Sequence, residues 1–329
     1  MSERKLASIQ RIAEIRQIEN AENIEAVRVN GWWVVAKKGE FAIGELAVYF
    51  EIDSWMPTNL APFLSKGEPR EYNGVKGERL RTIKLRGQLS QGLVLPISIF
   101  PPTATTFMGE GADATEILGI QKWEKPVPAQ LAGLARGNFP AFIPRTDQER
   151  VQNISEIFFD TESEYEVTIK LDGSSMTCYW QNGNLGVCSR NIDLKLDQSG
   201  NTFVDTAKRI FADRDFDGLA IQGELMGPGI QGNREGFEKH EFFVFDIWEI
   251  RGARYFTPTE RVIFCAENWL THVPVIGGKK LAGLDLNSVL ALADGESINN
   301  PIREGIVFKR ADGKASFKSI SNKFLLAEK

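Results

Sequence analysis

The stretch Glu164-Tyr165-Glu166-Val167-Thr168-Ile169-Lys170-Leu171-Asp172-Gly173-Ser174-Ser175 alternates between polar and apolar residues up to Asp172. A period of two belongs to a β-strand and not to a helix. Tyr165, Val167, Ile169 and Leu171 are therefore expected on one face, against a core. Glu166, Thr168, Lys170 and Asp172 share the other face. Lys170 and Asp172 then point into the same space at a strand end. Gly173 lets the backbone turn and approach a ligand closely. A lysine amine attacks an electrophile only when unprotonated, and partial desolvation, neighbouring cations or a metal lower its pKa. K-x-D-G is a short motif, however, and an ordinary Lys/Asp pair on a solvated edge strand has the same letters.

Composition narrows the chemistry further. The chain has 329 residues, 42% of them hydrophobic and 25% charged, which is the balance of a soluble globular protein of about two domains. No segment has the apolar length of a membrane span, and Met1-Ser2-Glu3-Arg4-Lys5 does not lead into the apolar core of a signal peptide. The expected setting is cytoplasmic or otherwise intracellular, without a membrane partner. Cys178, Cys188 and Cys265 are odd in number and lack C-x-x-C spacing, so they read as buried thiols. A net charge of −5 excludes a globally basic nucleic-acid coat, and any such partner must be held by local patches. His240 and His272 are the only histidines, which argues against a His-rich zinc site and against a Ser-His-Asp hydrolase. His272, before Val273-Pro274, reads as structural. The chemistry falls to lysine, carboxylates and a metal.

Residues 1–120 read as short strands. Asn30-Gly31 between Val27-Arg28-Val29 and Trp32-Trp33-Val34-Val35 is a hairpin signal, and Phe41–Glu51, Leu80–Leu85 and Gly92–Pro96 supply further strand regions. This spacing suggests a small β-barrel. Residues 121–145, with Pro126, Pro128, Gly133, Gly137, Pro140 and Pro144, have linker composition. An α+β domain is expected over 146–329.

Beyond Lys170 comes a series of charged segments. Cys188-Ser189-Arg190-Asn191 follows a turn at Gln181-Asn182-Gly183-Asn184 and puts a cation beside the Lys170 strand, although a surface arginine fits equally. Ile221-Gln222-Gly223-Glu224-Leu225 places a carboxylate on a strand. Gly227-Pro228-Gly229-Ile230-Gln231-Gly232-Asn233-Arg234 is either a phosphate-contacting loop or a flexible surface loop. Glu241-Phe242-Phe243-Val244-Phe245-Asp246-Ile247-Trp248 is a buried-looking strand whose Phe245 could stack on a base. Glu304-Gly305-Ile306-Val307-Phe308-Lys309-Arg310 alternates again, and Ser316-Phe317-Lys318 follows.

Taken in order, the segments at Lys170, Arg190, Glu224, Phe245, Glu304 and Lys318 resemble the motif set of the covalent nucleotidyltransferases, the superfamily of ATP-dependent ligases and mRNA capping enzymes. The finer resemblance is to ATP-dependent RNA ligases that carry an OB-type domain ahead of the catalytic domain, the fifth RNA ligase family. Asn30-Gly31-Trp32, Val48-Tyr49-Phe50-Glu51-Ile52-Asp53-Ser54 and Arg86-Gly87-Gln88-Leu89-Ser90-Gln91-Gly92-Leu93 match that N-terminal domain. The chain also stops after the Lys318 segment, where DNA ligases and capping enzymes usually continue into a C-terminal OB domain. The implied fold is a small OB-type β-barrel followed by an α+β nucleotidyltransferase domain with antiparallel sheets. The non-enzyme alternative, a nucleic-acid-binding protein with a decayed transferase domain, is opposed by intact Lys170, Asp172, Glu224 and Glu304.

The resemblance also implies roles. Lys170 forms a lysyl-AMP bond with AMP taken from ATP. Asp172 and Glu304 hold the waters of a catalytic Mg²⁺ or Mn²⁺. Glu224 reads the ribose or helps at the metal, and Phe245 stacks on adenine. Arg190 contacts phosphate or the RNA end. Lys309 and Lys318 neutralise the α-phosphate. Arg234 orients pyrophosphate, and Arg150 and Ser175 touch the nucleotide. The implied partner is RNA, or a nicked duplex with an RNA 3′-OH end, acted on by a monomer. Two departures stand out: Ser316 occupies a position where related ligases often have a second lysine, leaving Lys318 alone or aided by Lys323, and Asp172 occupies one where some RNA ligase groups have histidine. The need for such groups is physical. Transfer at phosphorus spreads anionic charge over non-bridging oxygens, so the protein supplies position and positive charge.

In the N-terminal region Lys76, Arg79, Arg81, Lys84 and Arg86 form a basic run with Glu78 the only acid among them. It reads as a phosphate-binding stripe, with Trp32, Trp33 and Trp55 offering stacking, or as a solvated strand face with barrel-core tryptophans.

Overall fold

The computed structural model describes residues 4–100, 109–124, 134–197, 200–212 and 214–328. The chain divides into two compact units, Met1–Pro126 with Leu325–Lys329, and Val127–Phe324. Among the described residues no helix is long and apolar enough to cross a membrane.

The first unit is built from strands β1 (Ala7–Gln17), β2 (Ile24–Val29), β3 (Trp32–Lys37), β4 (Leu46–Phe50), β5 (Ser54–Pro57), β6 (Arg70–Tyr72), β7 (Val75–Arg79), β8 (Thr82–Leu85), β9 (Gln88–Gln91), β10 (Leu93–Pro96) and β11 (Gln121–Lys122). The main sheet runs in the order β10-β4-β1-β2-β3. β1 divides its length between two partners: Ala7–Arg11 pair with β4, and Ile12–Gln17 pair with β2, with a register shift between Ile12 and Glu14. Such a shift bends a strand and lets the sheet curl. β4 is buried on both faces. Ala47 and Tyr49 join the cluster of Ile12, Val27 and Trp32, while Val48 and Phe50 join that of Leu6, Met56 and Leu80. The β2–β3 hairpin turns at Asn30-Gly31 as expected, with Asn30 at φ 49°.

This packing bears on two readings that the sequence leaves open. Trp32 is 0% exposed and lies against Tyr49, and Trp55 donates its indole N–H to the Val75 carbonyl from inside the core. Neither can stack on a base. Trp33 is partly exposed, with the Arg16 guanidinium 4.4 Å from its ring. The basic run is not one stripe either. Lys76 and Arg79 lie on β7, in a different sheet from Lys84 on the β8–β9 hairpin. Arg79 is bound to Asp53 at 2.6 Å and lies 4.0 Å over the Trp123 ring. Arg81, Lys84 and Arg86 remain exposed together on or beside the hairpin.

The stretch expected as a linker carries pairing at both ends. Gln121–Lys122 pairs with β5, and β12 (Ala135–Asn138) pairs with β17 (Ile192–Leu194). Pro126, Pro128 and Gly133 lie outside the described residues.

The second unit contains two sheets. One has seven strands in the order β12-β17-β16-β15-β18-β19-β20, adding β15 (Ser174–Gln181), β16 (Asn184–Cys188), β18 (Leu219–Met226), β19 (Glu241–Glu249) and β20 (Arg254–Tyr255). The other has five in the order β13-β23-β22-β14-β21, from β13 (Glu149–Arg150), β14 (Glu164–Lys170), β21 (Val275–Lys280), β22 (Gly305–Arg310) and β23 (Ser316–Ile320). Helices α1 (Thr202–Phe211) and α2 (Pro258–Glu267) cover the first, through Val204, Ala207, Phe211 and Cys265. Helix α3 (Leu286–Ala293) covers the second, through Val289 and Ala293. The three cysteines are free and buried. Tyr165 and Val167 face the α3 side as the alternation requires, with Ile306, Phe308 and Phe317. Ile169 and Leu171 pack with Met226, Phe243 and Val273 instead.

Phe308 and Phe317 are opposite each other on β22 and β23, and their rings stack at 4.6 Å. Phe308→Ala empties the centre of this cluster and is expected to cost about 3–5 kcal/mol. Denaturant unfolding followed in the second unit measures the loss.

Candidate active site

Cross-strand register assembles the site. β14 and β22 set Lys170 opposite Gly305, Thr168 opposite Val307 and Glu166 opposite Lys309. β22 and β23 continue the rows, Val307 to Lys318 and Lys309 to Ser316, and β13 adds Arg150 beside Lys318. Residues paired this way share a face. One face of the five-stranded sheet therefore carries Lys170, Thr168, Glu166, Lys309, Lys318 and Arg150, opposite the aromatic core. Gly305 is required in this register, because a Cβ there would collide with the Ser319 carbonyl.

The Lys170 amine donates to Glu304 Oε2 at 2.6 Å. Glu224 reaches the same place from β18, where it stands opposite Ser175, and its Oε1 accepts the Gly173 N–H at 3.0 Å. Gly173 has a reason beyond access to a ligand. A Cβ there would strike Met226, Leu225 and Glu224 on β18. Asp172 pairs with Arg234 Nε at 3.3 Å, and the Arg234 guanidinium lies 4.5 Å over the Phe324 ring.

These contacts reverse one expectation. Burial pulls the Lys170 pKa down, but Glu304, Glu224 and Asp172 together outweigh it and leave the pKa raised. Burial, helped by Glu304 and Asp172 and opposed by Lys170, pushes Glu224 up to about 8. Among the described residues no three carboxylate, thiol or imidazole side chains form a direct metal cage. The carboxylates instead surround the lysine. Hard oxygen donors of this kind fit a Mg²⁺ or Mn²⁺ ion that keeps its waters.

A second cluster lies one row along. Lys309 is 5% exposed, its amine 2.5 Å from Asp246 Oδ1, and it donates to the Phe245 carbonyl. The same amine stands 5.6 Å from the Phe245 ring centroid. Burial lowers the Lys309 pKa to about 8, with Asp246 opposing and Arg261 adding to the fall. Arg261 donates to Glu166, stands 3.6 Å from the same Asp246 oxygen, and gives its Nε proton to His272 Nε2 at 2.8 Å. His272 Nδ1 donates to the Val273 carbonyl at 2.6 Å. Burial and Arg261 drop His272 to about 4, so it is neutral, in the structural role read from sequence.

Segment 144–150 forms a third wall. Gln222 donates to the Pro144 carbonyl at 2.9 Å and Thr146 meets Ser175 at 3.0 Å, both on strands of the seven-stranded sheet, and Asp147 takes Arg190, in the turn between β16 and β17, at 2.6 Å. Arg150 then joins the other sheet. Lys170, Asp172, Glu224, Glu304 and Arg234 thus form one group, Lys309 and Phe245 a second, Arg150 and Lys318 a third row, and Arg190 and Ser175 line the segment's far end. Sequence reasoning passed over Arg261 and gave no role to Glu166 or Asp246. The alternation put Glu166 on the Lys170 face, and Asp246 stood next to Phe245. Nothing in the sequence marked Arg261, whose role depends on how α2 packs.

Comparison with known proteins agrees with this geometry. An OB-fold domain family matches residues 6–97, and the RNA ligase family matches residues 163–323. No curated protein matches. Among solved structures, a Naegleria gruberi RNA ligase mutant with ATP and Mn has TM-score 0.89 and 45% identity, over 98% of this chain and 98% of that one. The same ligase with PPi gives TM-score 0.89 and 46% identity, again over 98% of both. A further mutant of it in the apo state gives 0.90 and 45%, over 99% of this chain and 98% of that one. An OB-fold unit, a ligase unit and likeness over nearly the whole length leave one conclusion: the chain belongs to the RNA ligase family.

Proposed function

We propose that this RNA ligase takes AMP from ATP onto Lys170 and uses it to join an RNA 3′-OH to a 5′-phosphate at nicks. The observation that carries the reading is the Lys170 amine held at Glu304 with Glu224 and Asp172 around it. In the first step Lys170 Nζ attacks the α-phosphorus, an N–P bond forms and pyrophosphate leaves. In the second, a 5′-phosphate oxygen takes AMP from Lys170. In the third, the 3′-OH attacks the 5′-phosphorus and AMP departs.

The attack requires a neutral amine, whereas the carboxylates hold it protonated. Asp172 and Glu304 would hold a divalent cation, whose positive charge would offset the carboxylates and favour the neutral lysine. Arg234, Lys309, Lys318 and Arg150 present positive charge to the phosphates, and Phe245 offers a ring to adenine. Arg190, exposed at the outer end of segment 144–150, suits the RNA end. All these groups come from one chain, which supports action as a monomer. Three free, buried thiols suit an intracellular setting. The nucleic-acid surface of the first unit is assigned to Arg81, Lys84 and Arg86, exposed around the β8–β9 hairpin.

Labelled ATP with Mg²⁺ or Mn²⁺ should leave label on the protein, labelled GTP should not, and chelation should remove the signal. Lys170→Ala should abolish it, and a retained adduct in that variant would refute the assignment. Reversing Arg81, Lys84 and Arg86 to glutamate should leave lysyl-AMP formation intact. It should weaken sealing of a nicked RNA duplex on the order of tenfold or more, and more so at low salt. Unchanged sealing would remove the hairpin from the RNA path.

A further inference from the structure

Arg261 is 1% exposed, yet it is not an isolated structural ion pair. Asp246 Oδ1 is shared between two cations, the Lys309 amine at 2.5 Å and the Arg261 guanidinium at 3.6 Å. Arg261 is held there from two other sides, by Glu166 of β14 and by the neutral His272 that accepts its Nε proton. Moving away from Asp246 would also cost it the contacts to Glu166 and His272. Lys309 is differently placed. It reaches Asp246 from β22, next to Phe245, and it lies on the Lys170 face.

We propose that Arg261 is a positioning residue for lysyl-AMP formation: by sharing the Asp246 carboxylate it weakens that anchor, so that the Lys309 amine can pass from Asp246 to the α-phosphate of the nucleotide. The inference rests on the reading that Lys309 serves that phosphate. With Arg261 present, the two acids Glu166 and Asp246 are matched by the two cations Arg261 and Lys309, and the cluster is neutral. Without it, two carboxylates compete for one amine, and Lys309 is trapped. The groups facing Lys309 are Asp246 from β19, Arg261 from α2, Glu166 opposite it on β14, His272 after α2, and, from β23, the uncharged Ser316 opposite it with Lys318 two residues on along the same face. Arg261 depresses the Lys309 pKa and Asp246 raises it. Protonated Lys309 is the working form, so its contribution is present at neutral pH and is lost as pH rises through about 8 in the free enzyme.

The test is the pH profile of lysyl-AMP formation at subsaturating labelled ATP with Mg²⁺, which reports ionisations of the free protein. Arg261→Gln should slow the step on the order of tenfold at neutral pH and move the alkaline limb up by about one pH unit. Arg261→Lys keeps the charge and should restore the limb. Asp246→Asn should move the limb the opposite way, to lower pH, and it provides the test if Arg261→Gln does not fold. A uniform loss in Arg261→Gln with an unmoved limb makes Arg261 purely structural and overturns the proposal. So does an unmoved limb in Asp246→Asn. Lys309→Met separates the two levels. If it forms lysyl-AMP at full rate, the role given to Lys309 is wrong; if it fails while the Arg261 and Asp246 variants leave the limb unmoved, only the present inference falls.

Discussion

The site depends on the antiparallel register between the Lys170 strand and the Gly305 strand. That single alignment puts Lys170 beside Glu304 and sets Glu166 opposite Lys309. Because side chains alternate, a slip of one residue would send the functional groups into the aromatic core and the core residues to the cleft. Gly305 makes the alignment possible by leaving space at the Ser319 carbonyl, and the Phe308–Phe317 stack holds the opposite side.

Charge on this face is arranged in two sets, one around Lys170 and one around Lys309. Around Lys170, carboxylates outnumber the amine, and they outweigh even its burial. Around Lys309 burial prevails over the pull of Asp246, and Arg261 adds to the fall. Two lysines on one face thus depart from their ordinary pKa in opposite directions. That separation suits the two tasks proposed for them, a nucleophile to be released from its carboxylates and a cation to be kept charged until phosphate arrives.

Much of this was legible in the sequence. Period-two alternation located the strand, its inward face and the shared position of Lys170 and Asp172, since those depend only on local geometry. The Asn30-Gly31 turn was legible for the same reason. The protonation state of Lys170 was not, because it depends on Glu224 and Glu304, brought in from distant strands. Trp32 and Trp55 look the same in sequence as stacking residues, and only packing within the folded first unit decides that they are core. Arg261 is the extreme case. It lies within an amphipathic helix, and its partners come from β14, β19 and the loop after the helix.

Segment 144–150 has a consequence for how the two sheets are spaced. It is anchored on the seven-stranded sheet at Gln222 and Ser175, and on the five-stranded sheet at Lys318. Six residue steps of chain cannot reach farther than about 20 Å. The segment therefore acts as a tether, and the number of covalent bonds in it caps how far apart the two sheets can stand where it crosses between them.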